Sequence, residues 1–161
     1  MKTENDRAEH FRVIARVVIL TLDQRVALVT SRDGKALVLP GGAVDEGETL
    51  PQAAAREAFE ECGVLVAVGR AIWLREFVER GRERVNLEVY FLGRPADAIG
   101  LPERWRQPDP AHRDLTREAG LYSRQDIESL TVPVYPAELR EALWVGLADG
   151  FGNAYLGRVE G

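Results

Sequence analysis

The chain has 161 residues, 45% of them hydrophobic, and its 26 acidic against 21 basic side chains leave a formal net charge of −5. That length suits one domain of roughly 100–200 residues, and the apolar content supports a packed core and excludes an intrinsically disordered chain. The acidic balance argues against a nucleic-acid partner gripped through a basic surface, although Arg residues or a metal ion can still supply local positive charge to an anionic substrate.

The first ten residues, "MKTENDRAEH", read as a flexible polar leader without the apolar core of a signal peptide, and 11–161 as a single domain. No run reaches the roughly 18 apolar residues of a membrane span, so a cytoplasmic protein with no membrane partner is expected. "FRVIARVVILTL" is β-branched and apolar, as a central strand requires. "DQR" turns it into "VALVTSR", and "DGK", with a hairpin-type Asp-Gly, turns that into the short strand "ALVLPGG".

Thr49 opens the first helix: Gln52 stands at capping-box spacing, Pro51 falls in the first turn, and Gly63 is a natural stop. Ala55, Phe59 and Cys62, at i, i+4 and i+7, are the expected core-facing residues. A hairpin follows, "VLVAVGRAIWLREFVE" and "VNLEVYFLGR", joined by "RGRER". Residues 94–118 are Pro-rich and aperiodic and read as a long loop, after which "GLYS" returns as a short strand. Ser123 caps a short helix, "RQDIESL", and "PAELREALWVGLADG" makes a last amphipathic helix from Pro136. The order of elements argues for an α/β protein with helices packed on a mixed sheet.

Cys62 is the only cysteine, which excludes an internal disulfide and a thiolate metal cluster, and its setting is that of a packed thiol. His10 and His112 lie in polar surroundings unsuited to a zinc site.

The chemistry concentrates in "REAFEECG", residues 56–63. At about 100° per residue, Glu57, Glu60 and Glu61 share an arc of roughly 100°, where like charges repel. A hard divalent cation converts that repulsion into binding; an exposed helix face with an Arg56–Glu60 ion pair is the plainer reading of these eight residues alone. The preceding loop decides between them. "LPGGAVDEGETLPQAAAREAFEECGV" resembles the signature of the Nudix hydrolases, G-x5-E-x7-R-E-U-x-E-E-x-G-U, with U a bulky aliphatic. Gly42, Glu48, Arg56, Glu57, Glu60, Glu61 and Gly63 match its fixed positions, and Val64 its last apolar one; Ala58 is smaller than the usual aliphatic.

The resemblance implies an α/β/α sandwich with a mixed sheet, and hydrolysis of a pyrophosphate linking a nucleoside to a second group, with Mg²⁺ or Mn²⁺ as cofactor. It implies Gly42 (through its carbonyl), Glu57, Glu60 and Glu61 as metal-binding positions and Arg56 and Glu48 as orienting residues of the catalytic set. Either Glu60 or Glu61 serves as general base. Relatives also use acids from a later loop, for which Glu118 is a candidate with Asp114 beside Leu115, and Glu88 a second; each is otherwise an ordinary solvent-facing carboxylate.

For the substrate, a small-molecule nucleotide, base stacking calls for an aromatic ring. Trp73, Tyr90 and Trp144 fit the core, and Phe77 and Tyr122 are further rings. Trp105, between Arg104 and Arg106, is either a stacking platform or a loop anchor. Arg75, with Arg82 and Arg84, is positioned by the hairpin either to neutralise a second phosphate or to be solvated. Nucleotide sugars and ADP-ribose-like compounds are the leading substrate classes, nucleoside triphosphates the next. The alternatives are a non-catalytic Nudix-like nucleotide sensor and an enzyme acting on RNA 5′ ends, the latter disfavoured by the acidic charge. The last helix or an unpaired strand leaves room for a homodimer.

Overall fold

The structure, a computed structural model, describes residues 10–79, 81, 84–97, 100–109 and 112–161. Residues 1–9 of the expected leader, Arg82 of the hairpin turn and the side chain of Asp114 lie outside what is described.

Among the described residues, ten strands form two five-stranded sheets. β1 (His10–Ile19), β4 (Gly41–Ala43), β5 (Val66–Val78), β6 (Arg84–Pro95) and β10 (Tyr155–Glu160) make the first, in the order β10-β5-β6-β1-β4. β2 (Val26–Thr30), β3 (Leu37–Val38), β7 (Arg104–Asp109), β8 (His112–Tyr122) and β9 (Val134–Tyr135) make the second, in the order β7-β8-β2-β3-β9. Both are mixed: β1 runs parallel to β6 and antiparallel to β4, while β3 runs parallel to β9 and antiparallel to β2. Strand alternation sends side chains to two separate cores. Val18, Leu20, Val26, Leu28, Trp73 and Tyr90 face one, with α2 (Arg124–Ser129), a 3₁₀ turn (Ala137–Leu139) and α3 (Ala142–Asp149). Ala15, Val17, Ile19, Ala27, Val29 and Leu121 face the other, with α1 (Leu50–Cys62). The result is the expected α/β/α sandwich, with α1 alone on its side.

α1 forms for the reasons its sequence carries. Thr49 accepts from the Gln52 N–H while the Gln52 side chain accepts from the Thr49 N–H, Pro51 sits in the first turn, and Gly63 closes the helix in the left-handed region at φ 67°. Its buried residues, however, are Ala53, Ala54, Ala58 and Cys62, and Phe59 is 52% exposed. The expected Ala55/Phe59/Cys62 face is thereby corrected: small side chains let the helix axis approach the strands, which a phenylalanine ring would hold off. Ala58, undersized for the signature, is fully buried.

Three other expectations change. The long loop at 94–118 contains β7 and most of β8, an antiparallel pair. Proline interrupts its pattern, yet Pro108 is tolerated because β7 is an edge strand, where proline is admitted. The last helix divides into the 3₁₀ turn and α3, and the tail beyond it returns as β10, parallel to β5. The hairpin of β5 and β6 stands as expected, as do α2 capped by Ser123 and the burial of Trp73, Tyr90 and Trp144. Among the described residues no helix is long and apolar enough to cross a membrane.

Candidate active site

β4 pairs with β1 so that Gly41 lies opposite Arg16 and Gly42 opposite Ala15. Both glycines stand at close approaches, Gly41 to backbone and Gly42 to the end of a side chain. A Cβ on Gly41 would meet the Ala15 carbonyl oxygen at 2.5 Å, and one on Gly42 would meet Glu57 Oε1 at 2.3 Å. The second contact places the Glu57 carboxylate directly against the backbone of the loop.

Arg56 organises the outer part of the site. Its Nε and Nη2 donate to the two oxygens of Glu48 at 2.8 and 3.0 Å, and Nη2 also donates to the Ala43 carbonyl at 2.9 Å. Its Nη1 donates to Glu57 at 2.8 Å and Glu60 at 3.3 Å. One planar fork thus ties the loop 43–48 to two successive helix acids, geometry that lysine cannot supply. The consequences for protonation differ by residue. Arg56 and the backbone N–H of Asp45 hold Glu48 below the usual carboxylate range. Glu57 is shifted the other way: burial raises its proton affinity, Arg56 opposes this, and the neighbouring charges of Glu61 and Glu60 add to it.

Glu61 belongs to a separate arrangement. It accepts from the Gly41 N–H at 2.9 Å and from the guanidinium of Arg117 on β8. Arg117 is buried, 6% exposed, and its Nε donates to the Thr30 carbonyl at 2.8 Å. Glu57, Glu60 and Glu61 are therefore neighbours, each engaged with a guanidinium; among the described residues no three acidic, Cys or His side chains converge as a ready-made metal cluster.

The later candidates lie elsewhere. Trp105 does reach α1, but at its C-terminal end: the indole N–H donates to the Cys62 carbonyl at 2.7 Å and the ring packs into the α1-side core. It caps the helix as an anchor, the second of the two roles expected for it, and the half-buried ring also lines a surface cavity with Arg104, Arg106 and Glu118. Arg75 is 8% exposed on the face of the strands away from α1 and ion-paired with Glu138, so it is not solvated. Glu118 alternates with Arg117 on β8, points away from α1, and pairs across the hairpin with Arg106 at 2.9 Å. Glu88 is buried, not solvent-facing; it accepts from Arg16 at 2.9 Å and from the Tyr90 hydroxyl. Burial raises the Cys62 pKa, leaving a protonated, packed thiol.

Sequence reasoning missed Arg117 and Arg16. Arg117 shares its face with Ala119 and Leu121, so inward-facing alternation would have exposed it once β8 was recognised as a strand.

A family model described as the NUDIX domain matches residues 10–151, and the chain belongs to that family. It is 41% identical over 58 residues to a Bacillus subtilis (strain 168) protein provisionally named an 8-oxo-dGTP diphosphatase. That match spans 36% of this chain and 39% of the relative's length. In fold it is similar to a NUDIX hydrolase from Nitrosomonas europaea (TM-score 0.68, 19% identity, covering 96% of this chain and 81% of that one). It is also similar to a UDP-X diphosphatase (TM-score 0.64, 18% identity, 96% and 70% covered). An ADP-ribose pyrophosphatase from Streptococcus suis 89-1591 is a third (TM-score 0.57, 21% identity, 91% and 97% covered).

Proposed function

We propose that the protein is a divalent-cation-dependent pyrophosphohydrolase acting on a small-molecule nucleotide, a nucleoside diphosphate joined to a second group, in the cytoplasm. Nucleotide sugars and ADP-ribose-like compounds come first and nucleoside triphosphates second. The observation that carries this reading is the crowding of Glu57 and Glu61 against the Gly41-Gly42 backbone, with Arg56 bracing the helix to the loop. The names of the similar proteins support the same bond: 8-oxo-dGTP, UDP-X and ADP-ribose differ in base and in leaving group but share a phosphoric anhydride.

The donor set fits a hard cation, since Glu57, Glu60 and Glu61 offer carboxylate oxygens and no softer ligand. Asp45, Glu48, Glu57, Glu60 and Glu61 stand against Arg56 and Arg117, an excess of three negative charges that a divalent ion reduces. Glu57, Glu60 and Glu61, with the Gly42 carbonyl, would hold Mg²⁺ or Mn²⁺, which supplies polarisation of a phosphoryl oxygen and a water of lowered pKa.

The remaining work falls to the chain itself. Arg56 fixes the orientation of Glu57 and Glu60, and Glu48 ties the loop to the helix so that the Gly42 carbonyl keeps its aim. The Gly41 N–H donates to Glu61 and fixes its orientation. Glu60 is the most exposed of the helix acids and is held only through Oε2 by one longer bond, so it is the carboxylate placed to take the proton of an attacking water.

Incubating the protein with a panel of nucleotide sugars, ADP-ribose and nucleoside triphosphates in Mg²⁺ tests the reading. A nucleoside monophosphate should appear, and its co-product names the second group. Absence of cleavage across the panel, in a preparation shown to bind Mg²⁺, would leave a nucleotide-binding module without catalysis.

A further inference from the structure

We propose that Arg117 is a built-in counter-ion of the acidic site, a positioning residue whose charge limits how tightly the site takes a divalent cation. The inference rests on the hydrolase reading above, and it concerns a residue outside the signature. Arg117 reaches Glu61 from β8, across the gap between the two sheets. It is 6% exposed, its Nε is committed to the Thr30 carbonyl, and Glu61 is its ion-pair partner among the described residues. A buried guanidinium of this kind is costly unless a carboxylate compensates it. Its neighbours on the same strand face, Ala119 and Leu121, are apolar, so packing alone calls for an apolar side chain at this position.

Arg56 and Arg117 divide the carboxylates between them. Arg56 is 26% exposed on its side chain and spreads over Glu48, Glu57 and Glu60; Arg117 is confined to Glu61. With Asp45, which lies 3.5 Å from Arg56, the excess with both present is three negative charges; without Arg117 it becomes four, and Glu61 Oε1 loses the cation that competes for it. At an effective dielectric near 20, one unit charge removed at the distance of a neighbouring side chain changes cation affinity by about tenfold or more. A residue that only packed the site would weaken binding on removal. Removal of a counter-ion strengthens it.

The test is calorimetric titration of Mn²⁺ alone into the full chain, with thermal unfolding recorded in parallel. Arg117→Met and Arg117→Gln should bind Mn²⁺ about tenfold more tightly than the natural protein. Both should unfold at lower temperature in metal-free buffer and regain that loss when Mn²⁺ is added. Arg117→Lys keeps the charge and should stay within about twofold of the natural affinity. Should Arg117→Met fail to fold without metal, Arg117→Gln, which retains a donor for the Thr30 carbonyl, carries the comparison. Neutral variants that bind Mn²⁺ at the natural affinity or more weakly overturn the proposal while leaving the hydrolase reading intact. No Mn²⁺ uptake by the natural protein overturns both.

Discussion

The stretch from Gly41 to Gly63 and the β7–β8 hairpin each bring one guanidinium to the same group of carboxylates, by opposite means. In the first, helical spacing aligns Arg56 with Glu57 and Glu60, and the short loop before the helix brings Glu48 onto the same guanidinium. The network is broad and partly exposed, with Arg56 shared among three carboxylates and the Ala43 carbonyl. In the second, Arg117 arrives from 56 residues away, through the register of β8 on β2, and makes a single buried pair. A shared, half-exposed fork tolerates the loss of one partner because solvent screens what remains. A lone buried pair does not, because either partner left behind is an uncompensated charge. The site is thus rigid where the sheet builds it and adaptable where the helix builds it.

The widest gap between the two arrangements should appear at Glu61. Glu61→Gln removes a carboxylate from the proposed cation site, and turnover should fall by about a thousandfold, in the range seen for loss of a group that stabilises developing charge. It also strands Arg117, so unfolding in urea should show a loss of about 3 kcal/mol, within what a folded domain of this size survives. Adding Arg117→Met to that variant should restore most of the stability and none of the activity. If Glu61→Gln instead keeps near-natural rates, the role assigned to it is wrong. Arg56→Met comes next. Because its carboxylates are partly solvated, stability should fall by about 2 kcal/mol, and Mn²⁺ should recover part of it by taking over the neutralisation of Glu57 and Glu60. No recovery by metal would mean that Arg56 serves packing alone.

The same contrast explains what could be read from the chain and what could not. The helix was legible because its determinants are local: the Thr49/Gln52 box, Pro51, and a glycine at 63 that accepts a left-handed conformation. The carboxylates and their glycines were legible because fixed spacing along loop and helix is also spacing in space. The α/β/α layering followed from the order of elements. The β7–β8 pair was hidden because Pro102 and Pro108 mimic a loop, and edge-strand tolerance for proline is a property of the sheet. Arg117, Arg16 and the burial of Glu88 were hidden with the registers that assemble them. The buried face of α1 was misread because Phe59 outweighs three alanines on a hydrophobicity count, whereas close packing against the strands favours the alanines.

Gly42→Ala probes the seam between loop and helix. The added methyl falls within 2.3 Å of Glu57 Oε1, the movable end of a side chain, so Glu57 turns aside instead of the backbone breaking. The expected cost in stability is about 1–2 kcal/mol, typical of overpacking, with a larger proportional loss of Mn²⁺ affinity by calorimetry. Gly41→Ala meets backbone at 2.5 Å and should cost more in stability. Equal effects at both positions would contradict the assignment of Gly42 to the site and Gly41 to the fold.

The smallest effect is expected where the two regions touch without sharing charge. Trp105 on β7 donates its indole N–H to the Cys62 carbonyl at the end of α1. Trp105→Phe keeps the ring in the core and removes that donor, leaving a helix-end carbonyl to find water. The loss should be about 1 kcal/mol in urea unfolding, the net worth of one neutral hydrogen bond. Since the ring is occupied in packing, KM for any nucleotide the protein cleaves should not change, and kcat should follow it. A rise of tenfold or more in KM at unchanged stability would return Trp105 to the substrate side, and would mean that the hairpin supplies binding as well as charge.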